Sequence, residues 1–246
     1  MSEGALVEPS VGTVLRRRWQ ETRARKSLGA SLREIGSDFW EFLRESTPER
    51  KRLRYGDVEY DWEHHGIDTT SATVTTRGRL LAALSGAPYQ PTEPSAFRKM
   101  LAAVGIDYRE FTFLDLGSGK GRTLLMASEF PFRRIIGVEL LPELHEIALK
   151  NVAAFSSPEQ QCKSIESVCC DARDYEFPPE PLLLYFFNPL PEAALQVVIG
   201  NLRRSLEQTP RALRVLYHNP QREEVLRDSG FLNKVDGKFK YSIYSN

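Results

Sequence analysis

Short apolar runs alternate with longer segments of helical spacing along most of this chain. Apolar runs of strand length occupy residues 111–115, 134–138, 166–170, 181–187 and 211–217. Between them, residues 142–155 and 192–206 place apolar side chains three and four positions apart, which predicts helices. Strands that alternate with helices predict an α/β protein with a mostly parallel sheet.

Two further apolar runs close the chain and complete the predicted sheet. Residues 231–235 and 239–244 flank the dipeptide Asp236-Gly237, which predicts an antiparallel hairpin that turns at this dipeptide. Together with the five earlier runs they predict a seven-stranded sheet. The run at 181–187 is apolar throughout, as expected for a strand that is buried on both faces.

The first 94 residues follow a different pattern. Residues 11–27 and 31–43 have helical spacing, and the first of these segments is rich in arginine. Residues 55–94 contain many glycines and prolines, and so long an irregular segment in a compact protein is usually functional or partly disordered. We therefore predict a helical and irregular extension over residues 1–94 and a single α/β domain over residues 95–246 that begins with a helix at 95–104.

A glycine-rich turn follows the first predicted strand. The sequence Asp-Leu-Gly-Ser-Gly-Lys-Gly-Arg spans residues 115–122 and leads into a helical segment at 122–130. Glycine allows a tight turn and a close approach of the backbone to a ligand. The dinucleotide fingerprint requires G-x-G-x-x-G, but Arg122 stands at the third glycine position. A P-loop requires a glycine five residues before Gly119-Lys120 and a Ser or Thr after it, and the chain has Leu114 and Gly121 there.

The pattern D-x-G-x-G-x-G resembles motif I of the class I S-adenosylmethionine (SAM) methyltransferases. This resemblance implies a Rossmann-like sheet of seven mostly parallel strands and a SAM site at the glycine turn. The implied contacts to the methionine part of SAM come from Asp115, Gly117, Ser118, Gly119 and Gly121.

The same resemblance assigns cofactor roles after the second and third strands. Glu139 ends the second apolar run, and its carboxylate is expected to accept hydrogen bonds from the ribose hydroxyls. Asp171 ends the third run and is expected to accept from the adenine amino group. The backbone amide of Ala172 would then meet the adenine ring.

The end of the fourth strand is expected to face the methyl group of SAM, and it carries Asn188-Pro-Leu-Pro. Some amino-methylating members of the family have Asn-Pro-Pro-Tyr at this place. Leu190 and Pro191 replace the second proline and the aromatic ring, so the stacking platform for a flat base or amide is missing. We predict that Asn188 orients the methyl acceptor.

A looser resemblance concerns the loop before residue 95. In the non-SET histone lysine methyltransferases a Tyr-Gly-Glu-Thr loop covers SAM, and Tyr89 and Thr92 stand where its Tyr and Thr would be. Gln90-Pro91 replaces the Gly-Glu pair. The resemblance implies that Tyr89 belongs to a lid over SAM and is the second catalytic residue.

Composition narrows the partners and the location. The chain has 33 basic and 33 acidic residues and no net charge, so no global basic field favours nucleic acid.

Its three cysteines, two of them adjacent, suit neither a disulfide framework nor a zinc site, and Cys169 and Cys170 are expected as small hydrophobes in a buried strand. His64-His65 has poor geometry for one metal ion, so no metal site is predicted. The sequence lacks a signal peptide and an apolar run long enough to span a bilayer, which predicts a cytoplasmic protein without membrane contact.

The sequence therefore predicts a SAM-dependent methyltransferase that acts on an amine or a hydroxyl, with a protein lysine as one candidate acceptor. A small-molecule acceptor stays open, as does the oligomeric state. The alternative is a SAM-fold binding or scaffold protein whose arginine-rich arm contacts RNA or an acidic partner. A nicotinamide-dependent oxidoreductase is a third interpretation, which Arg122 disfavours.

Overall fold

A computed structural model describes most of the chain. The described residues are 59–71, 73–75, 77–78, 80, 89–188, 190–238 and 240–246, with separate residues at 16, 19–20, 27–30, 32 and 36. The predicted helices at 11–27 and 31–43 lie largely outside the described residues, and so does the arginine-rich arm as a unit. The division of the chain at residue 94 stays a prediction.

Helices and strands alternate along the domain. The helices are α1 (Glu59–Glu63), α2 (Pro94–Val104), α3 (Arg122–Ala127), α4 (Pro142–Ala154), α5 (Glu192–Gln208) and α6 (Glu223–Arg227), with a 3₁₀ turn at Tyr108–Glu110. The strands are β1 (Thr112–Leu116), β2 (Arg134–Glu139), β3 (Ile165–Cys169), β4 (Leu182–Phe187), β5 (Leu213–His218), β6 (Asn233–Lys238) and β7 (Tyr241–Ser245).

The strands form one seven-stranded sheet in the order β3-β2-β1-β4-β5-β7-β6. The first five of these strands are parallel, and β7 runs antiparallel to both β5 and β6. The predicted fold class is therefore confirmed. The strand order reverses between β1 and β4, and in open α/β sheets ligands bind outside the carboxyl ends of the strands at such a point.

Both faces of the sheet are covered, as the apolar run of β4 predicts. Tyr185 packs with Phe97 of α2 and Phe113 of β1 on one face, whereas Phe186 packs with Leu195 of α5 on the other. Because neighbouring residues of a strand point to opposite faces, a strand buried on both sides has to be apolar at successive positions.

Several predicted boundaries change in the structure. Helix α3 ends at Ala127 instead of residue 130, because the backbone tightens through Glu129 and Phe130 before Pro131. Strand β3 ends at Cys169, and Cys169 and Cys170 are half-buried at the edge of the sheet instead of fully buried.

The hairpin turn is also displaced from its predicted place. Asp236 and Gly237 lie inside β6, and Lys238 still pairs with Tyr241, so the turn comes after the dipeptide and not at it. A Cβ on Gly237 would lie 2.9 Å from the Tyr241 carbonyl oxygen. The glycine therefore serves the close approach of two strands and not the turn.

No helix among the described residues is long and apolar enough to cross a membrane.

Candidate functional site

The glycine turn leaves β1 at the point where the strand order reverses. Gly117, Gly119 and Gly121 have φ values of 83°, 55° and 83°, a conformation that strains any residue with a Cβ. The amides of Gly117 and Ser118 donate to the Val138 carbonyl at 2.8 and 3.1 Å. The turn is thereby fixed to the end of β2, which brings the two strand ends together.

Glu139 supports the turn from the end of β2. Its Oε2 accepts from the Gly119 amide at 2.8 Å, and its Oε1 accepts from the Leu141 amide at 2.8 Å. The side chain is buried, and this burial raises the pKa of the carboxyl although the backbone donors oppose the shift. Glu139, the residue predicted to bind the ribose, therefore lies at the turn. Both of its carboxylate oxygens accept from backbone amides.

Asp115 is a second buried acid at the same edge. Its Oδ2 accepts a hydrogen bond from the Thr123 hydroxyl of α3. Burial raises the pKa of Asp115 to about 7, the Thr123 bond opposes this, and the charge of Glu139 adds to it. Two buried acids whose pKa values are both raised create a place where a cationic ligand would be stabilised.

Ser118 does not point its hydroxyl into the crevice. A Cβ on Gly137 of β2 would lie 2.6 Å from Ser118 Oγ, so this side chain faces the strand beneath it. The Oγ atom is buried and has no hydrogen-bond partner among the described residues. Only the backbone of Ser118 follows the path of the turn, and its amide is already bound to Val138.

The two basic residues of the turn bind a segment that precedes the domain. We call residues 59–71 and 73–75 the strap. Lys120 is fully buried and donates from Nζ to the two carboxylate oxygens of Asp68 at 3.0 and 3.1 Å. Arg122 donates from Nε to Thr69 Oγ1 at 2.7 Å and lies 3.6 Å from the Asp61 carboxylate. Both cations of the turn are thereby paired with the strap.

Asn151 of α4 joins the strap to the turn through its amide group. Its Oδ1 accepts from the Asp68 amide at 2.7 Å. Its Nδ2 donates to the carbonyl oxygens of Asp68 and Lys120, each at 2.8 Å. Asn151 is buried, and its bond to the Lys120 carbonyl is buried with it, so this connection should be costly to break.

Tyr89 lies against the glycine turn. A Cβ on Gly119 would come within 2.2 Å of the Tyr89 ring, so only glycine permits this contact. The Tyr89 hydroxyl donates to the Thr69 carbonyl at 2.7 Å, which places the ring between the strap and the turn. Thr92 lies deeper, with Oγ1 2.8 Å from the Tyr185 hydroxyl. The structure therefore brings the predicted lid residue and the predicted SAM turn into contact.

Asp171 and Ala172 follow β3, two and three residues beyond its end. The Asp171 carboxylate accepts from Nε and Nη2 of Arg173 at 2.9 and 2.8 Å. Its Oδ1 also accepts from the Arg173 amide at 2.9 Å. Ala172 is buried. Binding of an adenine amino group by Asp171 would have to compete with this arginine.

Asn188 follows β4 in the left-handed region, with a φ of 47°. Its Oδ1 accepts from Arg222 Nη1 at 3.0 Å and from the Tyr217 hydroxyl at 3.1 Å. Because arginine can only donate, the oxygen of this amide must face Arg222. The nitrogen, Nδ2, is therefore the group that Asn188 has left for a ligand, and it is a donor.

His218 ends β5 beside the end of β4, and the predicted site did not include it. Its ring stacks on that of Phe187 at a centroid distance of 4.0 Å. Nδ1 lies 3.0 Å from the Tyr185 hydroxyl. Burial, with a smaller contribution from the charge of Lys240, lowers the pKa of His218 to about 4. The side chain is thus a neutral imidazole at neutral pH.

The structure therefore gathers the predicted residues along one edge of the sheet, except the Ser118 side chain, which turns away. The sequence analysis did not predict the contacts between the strap and the turn, and it did not include His218. One signal for His218 was available, because it directly follows the predicted fifth strand, where ligands of such sheets bind. The strap carries the polar run Asp68-Thr-Thr-Ser inside an irregular segment, but nothing in the sequence specified its partners. Among the described residues no cluster of His, Cys, Asp and Glu could hold a metal ion.

No protein-family model matches the sequence, and no curated protein matches it either. Solved structures of several methyltransferases are similar in fold. An RNA methyltransferase from Salinibacter ruber, in complex with S-adenosyl-L-homocysteine, is 19% identical over 63% of this chain and 92% of its own, with a TM-score of 0.42. A precorrin-6y C5,15-methyltransferase from Geobacter metallireducens GS-15 is 17% identical over 63% of this chain and 88% of its own, with a TM-score of 0.46. The glycopeptide N-methyltransferase MtfA is 11% identical over 64% of this chain and 90% of its own, with a TM-score of 0.48. At such values the likeness concerns the general fold alone.

Replacing Asn151 with alanine should loosen the strap. The change removes three hydrogen bonds of a buried side chain and leaves the Asp68 amide without its acceptor, so we expect a loss of about 2–4 kcal/mol in the free energy of unfolding. Hydrogen exchange at the amide of Asp68 should accelerate. Lys150→Ala, an exposed change on the same helix, is the matched control. Unchanged protection of Asp68 in Asn151→Ala would show that the strap is held by other contacts.

His218 should make the stability of the protein depend on pH in a defined window. The folded state lowers the pKa from 6.5 to about 4, so it binds fewer protons than the unfolded state in this range. The free energy of unfolding should fall as the pH drops from 6.5 towards 4, by at most about 3 kcal/mol from this residue. Denaturation of His218→Phe should lack this contribution, whereas His65→Gln, at an exposed histidine, should keep it. Parallel pH profiles for the wild type and His218→Phe would refute the assignment.

Proposed function

We propose that this protein is a SAM-dependent methyltransferase. The observation that carries the proposal is the contact between the buried Glu139 carboxylate and the Gly119 amide, at the point where the strand order reverses. A carboxylate at the end of the second strand can accept from two vicinal hydroxyls, and the glycines of the turn have no side chains of their own that would block a ligand. This arrangement suits a nucleoside whose remaining part lies along the turn.

The charges at the turn favour SAM over a phosphate-bearing ligand. Lys120 and Arg122 would be the natural phosphate contacts, but both are paired with the strap residues Asp68 and Asp61. The acids Asp115 and Glu139 are instead buried beneath the turn, where each would gain from a nearby positive charge. SAM has a positively charged sulfonium and an ammonium group and carries no phosphate. A pyrophosphate at this place would meet two carboxylates.

SAM supplies an activated methyl group, and the chain has to position the acceptor and exclude water. Tyr89 covers the turn from one side and is held by the Thr69 carbonyl, which supports its role in a lid. Asn188 would contact the acceptor at the end of β4. Asp171 and Ala172 would hold the adenine, which requires that Arg173 releases the Asp171 carboxylate or shares it.

The acceptor we propose is a nitrogen or oxygen nucleophile, with a protein lysine as one candidate. The contacts of Asn188 change the role expected for it. Its oxygen already accepts from Arg222 and Tyr217, so it contributes Nδ2 as a donor instead of an acceptor for the hydrogens of an amine. An acceptor with oxygen lone pairs would therefore be held more readily here than an ammonium group.

Glu139→Gln should weaken SAM binding by about 10–100-fold, because a charged acceptor to the ribose hydroxyls is replaced by a group that offers one oxygen. Glutamine is isosteric, so its one oxygen can keep the contact with Gly119, whereas the contact with the Leu141 amide is lost. Isothermal titration calorimetry with SAM measures the change, and Glu146→Gln on the neighbouring helix α4 is the control. Equal affinity in the wild type and Glu139→Gln, or no binding by either, would contradict the proposed site.

Turnover separates an enzyme from a protein that only binds SAM. Labelled SAM is incubated with a cell extract and the wild-type protein, and the products are separated by size. We expect label in an acceptor with the wild type and strongly reduced label with Glu139→Gln. SAM binding without any transferred label would favour the alternative of a scaffold protein.

A further inference from the structure

Three buried side chains form a hydrogen-bonded chain that ends at the carboxyl edge of the sheet, where the proposed methyl acceptor would bind. Thr92 Oγ1 lies 2.8 Å from the Tyr185 hydroxyl, and Tyr185 lies 3.0 Å from His218 Nδ1. Thr92 precedes α2, Tyr185 is in the central strand β4, and His218 ends β5. The chain thus links the loop that carries Tyr89 to the carboxyl edge of the sheet.

The number of hydrogens available fixes the direction of this chain. Thr92 and Tyr185 each have one hydroxyl hydrogen, and the described residues offer Thr92 Oγ1 no other acceptor than Tyr185. If Thr92 donates to Tyr185, then Tyr185 donates to His218 Nδ1, and every hydrogen has a partner. In the opposite direction the buried Thr92 hydroxyl would be left without an acceptor, which is costly. His218 therefore accepts at Nδ1 and carries its proton on Nε2.

The Nε2–H group of His218 has no acceptor among the described residues, and the side chain keeps 8% of its surface exposed. The buried atoms without partners in the described part of the chain are Tyr60 Oη, Ser118 Oγ and Arg211 Nε, so Nε2 is not sealed inside the protein. It is a fixed donor that a ligand can reach.

The charged group beside this donor is positive. The Lys240 carbonyl accepts from the amide of Asn219, next to His218, at 2.7 Å, and the charge of Lys240 acts on the imidazole. Tyr185 and Phe187 on β4 are uncharged neighbours. An anionic oxygen would satisfy the Nε2–H donor beside Lys240, whereas an ammonium group would meet like charge and no acceptor.

We propose that His218 is a specificity residue, which donates from Nε2 to a carboxylate group of the methyl acceptor. This inference rests on the proposed function, since it assumes that the acceptor binds beside the end of β4. Tyr185 and Thr92 act as positioning residues, because they fix the proton on Nε2. His218 is held as a donor, so the acceptor is bound through its oxygen atoms and not deprotonated by this histidine.

Nuclear magnetic resonance of the histidine side chains tests the donor directly. The ¹⁵N-labelled full chain is saturated with S-adenosylhomocysteine, whose binding calorimetry confirms first. We expect His218 to be neutral at pH 6, with its proton on Nε2. Sodium acetate should shift the Nε2–H signal saturably, and methylammonium chloride at the same ionic strength should not. In Tyr185→Phe the Nδ1–H tautomer should become populated, because the hydroxyl that donates to Nδ1 is gone.

Two substitutions separate recognition from a merely structural role. His218→Gln places an amide nitrogen near the position of Nε2, and acetate should still shift the backbone amide of Asn219. His218→Asn is too short to do so, and its affinity for acetate should fall by about 10-fold, which corresponds to one hydrogen bond. Both variants should bind S-adenosylhomocysteine like the wild type.

A proton on Nδ1 in the wild type, or no saturable effect of acetate, would overturn this inference. An equal response to methylammonium would overturn it as well. Any of these three results with intact S-adenosylhomocysteine binding leaves the proposed function standing. A protein that binds neither SAM nor S-adenosylhomocysteine would instead refute the proposed function, and this inference with it.

Discussion

Hydrogen bonds from two sides fix the backbone of the glycine turn, and the rest of the site depends on these contacts. From the sheet, Glu139 accepts from the Gly119 amide, and Val138 accepts from the two amides before it. From outside, the strap binds Lys120, Arg122 and, through Asn151, the backbone of Lys120. The conformation of this turn is accessible to glycine but has no intrinsic stability, so it persists only because its neighbours determine it.

The strap adds ion pairs to the contacts that fix the turn. A fully buried ammonium group is costly to remove from water, and pairing with Asp68 offsets part of that cost. The pairing also decides which ligand suits the turn, because it removes two positive charges from the crevice and leaves the acids beneath. The contacts that hold the strap therefore also set the charge of the proposed cofactor site. Tyr89 donates to the Thr69 carbonyl of the strap and lies against the turn.

Much of this architecture follows from local sequence patterns. The seven strands, their alternation with helices and the positions of Asp115, Glu139 and Asn188 at strand ends are read from apolar runs and glycine spacing. The strap contacts are not, because Asp68 and Asn151 are 83 residues apart and no local pattern encodes their pairing. The hairpin turn was predicted wrongly because Asp236-Gly237 is a favourable turn dipeptide. In the fold Gly237 is instead required for close packing between strands. His218 is an ordinary residue in the sequence and becomes informative only through Tyr185 and Thr92.

In the proposed function the buried acids beneath the turn stabilise a bound cation, and proton release on binding tests this most directly. Calorimetric titration with SAM at pH 6.5, in buffers of different ionisation enthalpy, measures the protons exchanged. Since the pKa of Asp115 is about 7, a bound cation should lower it and expel protons from this carboxyl group. Release should be smaller for S-adenosylhomocysteine, which lacks the sulfonium charge, and should vanish well above neutral pH. Binding of SAM without proton release, or with uptake, would contradict the account.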